Sequence, residues 1–252
     1  MEKTKLKVGI FSITGCAGCQ LSVIFNEDEL LPLLSLIDLH AFPFIKKVNA
    51  EENFDYVLME GLVATKEDLQ KLKKIRKNTK NLIALGACAH TGCIPAYRNF
   101  TLKNRFNTVY NHTLENIRGN LKSISPSPID AHVKVDYTIP GCPPDKNEIL
   151  STLYKIANGL TPRPYSEPVC VECRRNGNPC LLEFDKPCLG PITRGGCNSV
   201  CTNSGFECWG CRGHTDDANE KVLIEYFRKK GYSRKWIDER MKTFVGMKMG
   251  KF

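Results

Sequence analysis

The sequence predicts an α/β chain in three parts. These are a flavodoxin-like parallel-sheet domain over residues 1–160, an irregular cysteine-rich domain over 161–215, and a short helix with a basic tail over 216–252. Strand-like and helix-like stretches alternate through the first part, the pattern of a parallel sheet with helices on its faces. Composition then changes at Thr161, where TPRPYSEP leads into eight cysteines between Cys170 and Cys211. Helix-like apolar spacing returns only at DDANEKVLIEYF, residues 216–227.

Leu6 to Ile13 (LKVGIFSI) is apolar and β-prone and opens the sheet. From Cys19 to about Ser35 the chain reads as a helix. Phe54 to Glu60 (FDYVLME) is the next strand. Thr65 to Lys77 is predicted as a helix, with Thr65 as N-cap and Asp68 three positions on. Within it, KLKKIRK (71–77) is the solvated face, with Leu69, Leu72 and Ile75 inside. Asn81 to Ala87 (NLIALGA) is a buried strand, Leu114 to Ser123 a helix and Val133 to Ile139 a short strand. Asp145 to Ala157 is a helix ending at Gly159. The cysteine-rich part lacks the residues for a large apolar core, so bound metal is expected to hold it together.

Composition excludes several classes. With 42% hydrophobic and 25% charged residues, the chain is neither disordered nor low-complexity. The longest apolar stretch, Leu30 to Phe42, is broken by Pro32, Ser35, Asp38 and His40 and is too short and polar to span a bilayer. The first residues show no apolar leader and no twin arginine, so a cytoplasmic chain is expected. The net charge is +9, and Arg212 to Phe252 carries 11 basic against 6 acidic residues. Aromatic interleaving and nucleic-acid motifs are missing, so these charges read as solvated surface.

Thirteen cysteines in a reducing compartment point to metal, and thirteen is three fours plus one. Cys16 and Cys19 follow the first strand, Cys88 follows NLIALGA, and Cys142 follows VDYTI. All four fall at carboxyl ends of strands, the edge where open α/β sheets bind ligands. Four thiolates there could hold an iron–sulfur cluster or zinc. Cys93, five residues past Cys88, competes for the third position. Cys88 lies nearer the strand end and is preferred, which leaves Cys93 as a buried thiol. A second group is Cys170, Cys173, Cys180 and Cys188; a third is Cys197, Cys201, Cys208 and Cys211. Division in chain order is the simplest. Pairing Cys170-x2-Cys173 with Cys208-x2-Cys211 in a zinc ribbon is the alternative.

Taken together, GCAGC (15–19), EG (60–61), LGACA (85–89), PGCPP (140–144), CLGPITRGGC (188–197) and FECWGC (206–211) resemble the small, electron-transferring subunit of nickel–iron hydrogenases. The resemblance runs from about residue 6 to 213. It implies a proximal 4Fe–4S cluster on Cys16, Cys19, Cys88 and Cys142. It implies a distal cluster on Cys170, Cys173, Cys180 and Cys188, and a medial cluster using Cys197, Cys208 and Cys211. Many uptake members have histidine at the Cys170 position and a proline in the medial loop with a 3Fe–4S cluster. Here Cys201 is expected to supply a fourth thiolate and make the medial cluster 4Fe–4S.

With no twin-arginine signal or anchoring tail, these departures imply the cytoplasmic, bidirectional branch. Gln20 stands where many members have an acidic or small polar residue, so no proton-transfer role is assigned there. The related cluster subunit of NADH–quinone oxidoreductase has adjacent cysteines in place of Cys16-x2-Cys19 and lacks the eight-cysteine segment. The deazaflavin-reducing type ends in C-x2-C-x2-C, absent here. CRGHTDDAN (211–219) and the length look most like the NAD(P)-linked or sulfhydrogenase type, with the heterodisulfide-reductase-linked type next. The implied partners are a nickel–iron large subunit, which holds the hydrogen-splitting site, and iron–sulfur and flavin subunits of a NAD(P)-linked diaphorase. This chain then supplies no catalytic residue of its own and relays electrons. Neither nucleic acid nor membrane is an expected partner.

Overall fold

The structure is a computed structural model and describes residues 5–25, 27–100 and 123–249. Five parallel strands form the main sheet: β1 (Leu6–Ser12), β2 (Ile37–Ala41), β3 (Phe54–Glu60), β5 (Thr79–Leu85) and β7 (Tyr137–Ile139). Their order is β2-β1-β3-β5-β7. This is the flavodoxin-like arrangement, in which the order reverses between β1 and β3. A two-stranded antiparallel ribbon, β4 (Val63–Thr65) with β6 (Ser123–Ser127), flanks it.

The period of two along each strand explains the two cores. Val8, Ile10, Leu58, Ile83 and Leu85 face one side. There they meet Val23 of α1 (Gly18–Ile24), Leu33 of α2 (Glu27–Leu36), and Ile149, Leu153 and Ile156 of α6 (Lys146–Ala157). Phe11, Val57, Met59, Leu82 and Ala84 face the other side and pack on Leu72 and Ile75 of α3 (Lys66–Lys77). Thr65 caps α3 in a reciprocal capping box with Asp68, as expected. Asp68 also accepts bonds from the Thr14 N–H (3.1 Å) and hydroxyl (2.7 Å), which fixes the loop leading into Cys16.

Several elements differ from expectation. The helical stretch after Cys19 is two helices, and β2 follows the second without a break. The expected strand at 81–87 is β5, which ends at Leu85; Gly86 then opens α4 (Gly86–Thr91), followed by α5 (Cys93–Tyr97). The helix expected at Leu114 to Ser123 falls outside the described residues up to 122, and Ser123 begins β6. The cysteine-rich segment carries two short helices, α7 (Val169–Arg175) and α8 (Val200–Asn203). The C-terminal residues hold α9 (Glu220–Lys229) and a second helix, α10 (Arg234–Val245). Leu223, Phe227, Ile237 and Met241 of this pair bury Leu189 and Ile192 of the cysteine-rich segment. Much of the tail is therefore a packed cover rather than plain surface. Among the described residues no helix is long and apolar enough to cross a membrane.

Candidate iron–sulfur sites

Loops at the carboxyl ends of β1, β5 and β7 bring the first group together. Cys19 lies in the first turn of α1, Cys88 in the first turn of α4, and Cys142 in the turn that Gly141 and Pro144 close. Cys19 is buried; Cys16 and Cys142 are exposed. Gly86 is what allows the approach. Its φ is +86°, and a Cβ there would stand 2.3 Å from Cys19 Sγ. The buried carboxylate of Glu60, at the end of β3, accepts the Cys19 N–H at 3.1 Å, and its other oxygen has no partner. Burial pushes the Cys19 thiol up, and the nearby charges of Glu60, Cys88 and Cys142 add to it.

Cys93 also enters this group. It is only 3% exposed, and its thiol lies against those of Cys142 and Cys88. Their interaction raises Cys93 itself, lowers Cys88, and brings Cys142 down to about 7. Its φ of +51° is unusual for a residue with a side chain, so the backbone is held there by its surroundings. Burial of this thiol was legible in the sequence; its contact with Cys88 and Cys142 was not, because it depends on how α4 and α5 meet at Gly92.

The thiols of Cys170, Cys173, Cys180 and Cys188 line one cavity of about 60 Å³. Gly190 closes it, and a Cβ there would lie 3.3 Å from Cys170 Sγ and 3.4 Å from Cys188 Sγ. Burial pushes Cys170 up to about 12 and raises Cys188. Cys197, Cys201, Cys208 and Cys211 line a larger cavity, about 820 Å³, that also reaches Cys142 and Trp209. Burial raises Cys197, Cys201 and Cys208 and pushes Cys211 up to about 12.

These sulfurs are acceptors of peptide N–H groups. Cys188 Sγ takes the N–H of Gly190 (3.4 Å) and of Cys208 (3.3 Å). The peptide groups of Ser199 and Val200 lie against Cys197, that of Gly210 against Cys208 and that of Cys142 against Cys211, and each favours the thiolate. Such donors stabilise thiolate ligands and tune the groups they bind. Sulfur donors, glycine-made space and N–H donors together fit iron–sulfur clusters. Among the described residues, no three His, Cys, Asp or Glu side chains close on a single point as a one-metal site would.

Two charged residues hold the cysteine loops, and neither was singled out from the sequence. Glu172 of α7 accepts the N–H groups of Gly196 (2.9 Å) and Ser199 (3.2 Å) on either side of Cys197. Arg212, 1% exposed, bonds both Glu148 oxygens (2.8 and 2.9 Å), the Pro140 carbonyl (2.8 Å) and the Gly195 carbonyl (2.6 Å). It thereby ties the medial loop to the turn that carries Cys142. The signal was present: an arginine directly after the last cysteine of a segment expected to be buried around metal.

The comparisons with known proteins agree with this geometry. The family described as NADH ubiquinone oxidoreductase, 20 Kd subunit, matches residues 16–156. Sulfhydrogenase 2 subunit delta of Pyrococcus furiosus is 38% identical, over 89% of this chain and 93% of that protein. NAD-reducing hydrogenase HoxS subunit delta of Cupriavidus necator is 34% identical, over 66% of this chain and 84% of that one. A solved structure of a NAD+-reducing [NiFe]-hydrogenase aligns with TM-score 0.56 and 28% identity, over 63% of this chain and 94% of that one. The chain therefore belongs to the NADH ubiquinone oxidoreductase 20 kDa subunit family and, within it, to the small, electron-transfer subunits of nickel–iron hydrogenases.

Proposed function

We propose that the chain relays single electrons through three 4Fe–4S clusters, between the nickel–iron site of its large subunit and a flavin-containing, NAD(P)-linked diaphorase. The ligand sets are those in chain order: Cys16, Cys19, Cys88 and Cys142; Cys197, Cys201, Cys208 and Cys211; and Cys170, Cys173, Cys180 and Cys188. Clusters bound there supply one-electron carriers, whose potentials follow charge and hydrogen bonding.

One observation carries the reading. The peptide group of Cys142 lies against Cys211 Sγ, and the N–H of Cys208 donates to Cys188 Sγ at 3.3 Å. A residue of the first group thus touches the sulfur of the next, and a residue of that group touches the third. These two contacts support the order proximal, medial, distal. The NAD+-reducing hydrogenase among the similar structures supports the diaphorase partner. Iron–sulfur ligation needs the cysteines as thiolates, which a reducing compartment such as the cytoplasm maintains. The division at about residues 160 and 215 follows the change from sheet to cysteine loops to the covering helices.

The test is the iron and acid-labile sulfide of the anaerobically isolated chain. About 12 of each per chain is expected for three four-iron clusters. About 11 iron would mean that Cys201 does not complete the medial site. Two or three zinc without sulfide would overturn the proposal.

The third proximal ligand has its own test. Cys88→Ser is expected to lose about a third of the iron, one cluster of three, while Cys93→Ser keeps it. The reverse result, with iron lost from Cys93→Ser alone, would make Cys93 the ligand.

A further inference from the structure

Arg240 lies in α10, within the basic tail to which the sequence assigned no role. Its side chain is buried, with 3% of the residue exposed. One nitrogen, Nη2, donates to the Pro187 carbonyl (2.9 Å) and the Cys208 carbonyl (3.1 Å). The guanidinium lies over the Trp209 ring, 3.3 Å from its centre. Nε and Nη1 are fully buried and have no hydrogen-bond partner among the described residues. Glu207 Oε1 forms an ion pair with Nη2 at 3.6 Å, longer than a hydrogen bond.

A guanidinium does not lose its proton inside a protein. A buried charge with two idle donors is costly unless something nearby offsets it. Cation–π contact with Trp209 contributes part of the offset. The rest has to be negative charge: Glu207 supplies part of it from one side, and the backbone contacts indicate where more lies. Pro187 directly precedes Cys188, and the two carbonyls that hold Nη2 belong to Pro187 and Cys208. The Cys208 N–H donates to Cys188 Sγ at 3.3 Å. Arg240 therefore brackets a bonded link between the medial and distal groups. The charges of the Cys208 and Cys188 sulfurs both act on it.

We propose that Arg240 is a fixed positive charge that raises the reduction potentials of the medial and distal clusters relative to the proximal one. The inference rests on the relay reading and adds to it. When a cluster takes up an electron, its net charge falls by one. A positive charge held beside it in a dry site stabilises that reduced form and shifts its one-electron equilibrium toward reduction. Because Arg240 sits at the junction of the two groups, it shifts both in the same direction. That holds the step between them level while setting both against the proximal site. The proximal group connects to the medial one through Cys211, not Cys208, and serves as the internal reference.

The experiment uses the hydrogenase complex containing Arg240→Met, Arg240→Gln or Arg240→Lys. Each is titrated anaerobically with a dithionite-and-mediator series and read by electron paramagnetic resonance. Arg240→Met is expected to lower the medial and distal equilibria at least tenfold, about 59 mV for one electron. The proximal value is expected to stay within threefold. Arg240→Gln keeps a donor for the carbonyls without the charge and is expected to follow Arg240→Met. Arg240→Lys keeps the charge and is expected to stay near wild type. Iron-replete Arg240→Met and Arg240→Gln complexes with unchanged potentials would overturn the proposal. So would equal loss of iron from all three variants, which would make the residue a packing element. Loss of iron from Arg240→Met and Arg240→Gln but not from Arg240→Lys supports it, because the charge alone separates them. A wild-type complex lacking three cluster signals from this chain would instead sink the relay reading.

Discussion

Cys142→Ser is expected to abolish hydrogen-driven dye reduction by the complex. The fall should exceed about 100-fold, the upper end of what losing an outer hydrogen-bond partner of a metal site costs, because a ligand itself is removed. Iron should drop by about a third, one four-iron cluster of three, with the medial and distal signals retained. The substitution is informative because Cys142 does two things. Its side chain lies in the proximal group, against Cys93, while its peptide group lies against Cys211 Sγ in the medial group. Serine changes the first and keeps the second. Loss of turnover with intact medial and distal signals would place the break at the proximal end. Normal turnover would sink the proximal assignment.

Cys16→Ser is expected to behave in the same way, although the two residues are placed differently. Both are exposed, whereas Cys19 is buried behind Gly86. The open side of the proximal group is therefore formed by the two cysteines farthest apart in sequence. This is a face that a large subunit could cover, and the first group lies at the carboxyl edge of the sheet, where the strand order reverses between β1 and β3.

Where the proximal group would form was legible because strand ends are legible. Apolar runs such as FDYVLME locate β3 to the residue, and Cys16, Cys88 and Cys142 each come shortly after the end of another such run. The capping box at Thr65 was readable for the same reason, since its partners are three residues apart. What the sequence hid depends on contacts across long separations. β2 follows α2 without a turn residue, so no local signal marked it. α10 was hidden because its apolar positions Ile237, Met241 and Val245 are scattered among charges and gain meaning only against Leu189 and Ile192. The contacts of Cys93 with Cys88 and Cys142 need the meeting of three loops. Arg212 and Arg240 read as surface charge in a basic tail, yet both are buried because carbonyls and sulfurs from elsewhere surround them.

Arg212→Met is expected to destabilise the subunit by about 3–5 kcal/mol, the usual result of removing one partner from a buried ion pair. At roughly 2–4 °C per kcal/mol for a chain of this size, the thermal midpoint should fall by about 6–20 °C. The physical cause is what stays behind. Glu148 would lose both of its guanidinium bonds, and the carbonyls of Pro140 and Gly195 would lose theirs. A methionine of similar length fills the space but donates nothing. The double variant Arg212→Met with Glu148→Leu should recover part of the loss, because it removes the stranded carboxylate as well. Arg212→Lys should fall between, keeping charge but not the two-pronged bond to Glu148. The effect should also reach the relay. Pro140 lies two residues before Cys142, Gly195 two before Cys197, and Arg212 directly follows Cys211, so this one side chain sets the spacing between the proximal and medial loops. A midpoint within about 2 °C of wild type, less than 1 kcal/mol on the same scale, would show that the loops are held by other contacts and that Arg212 is not their anchor.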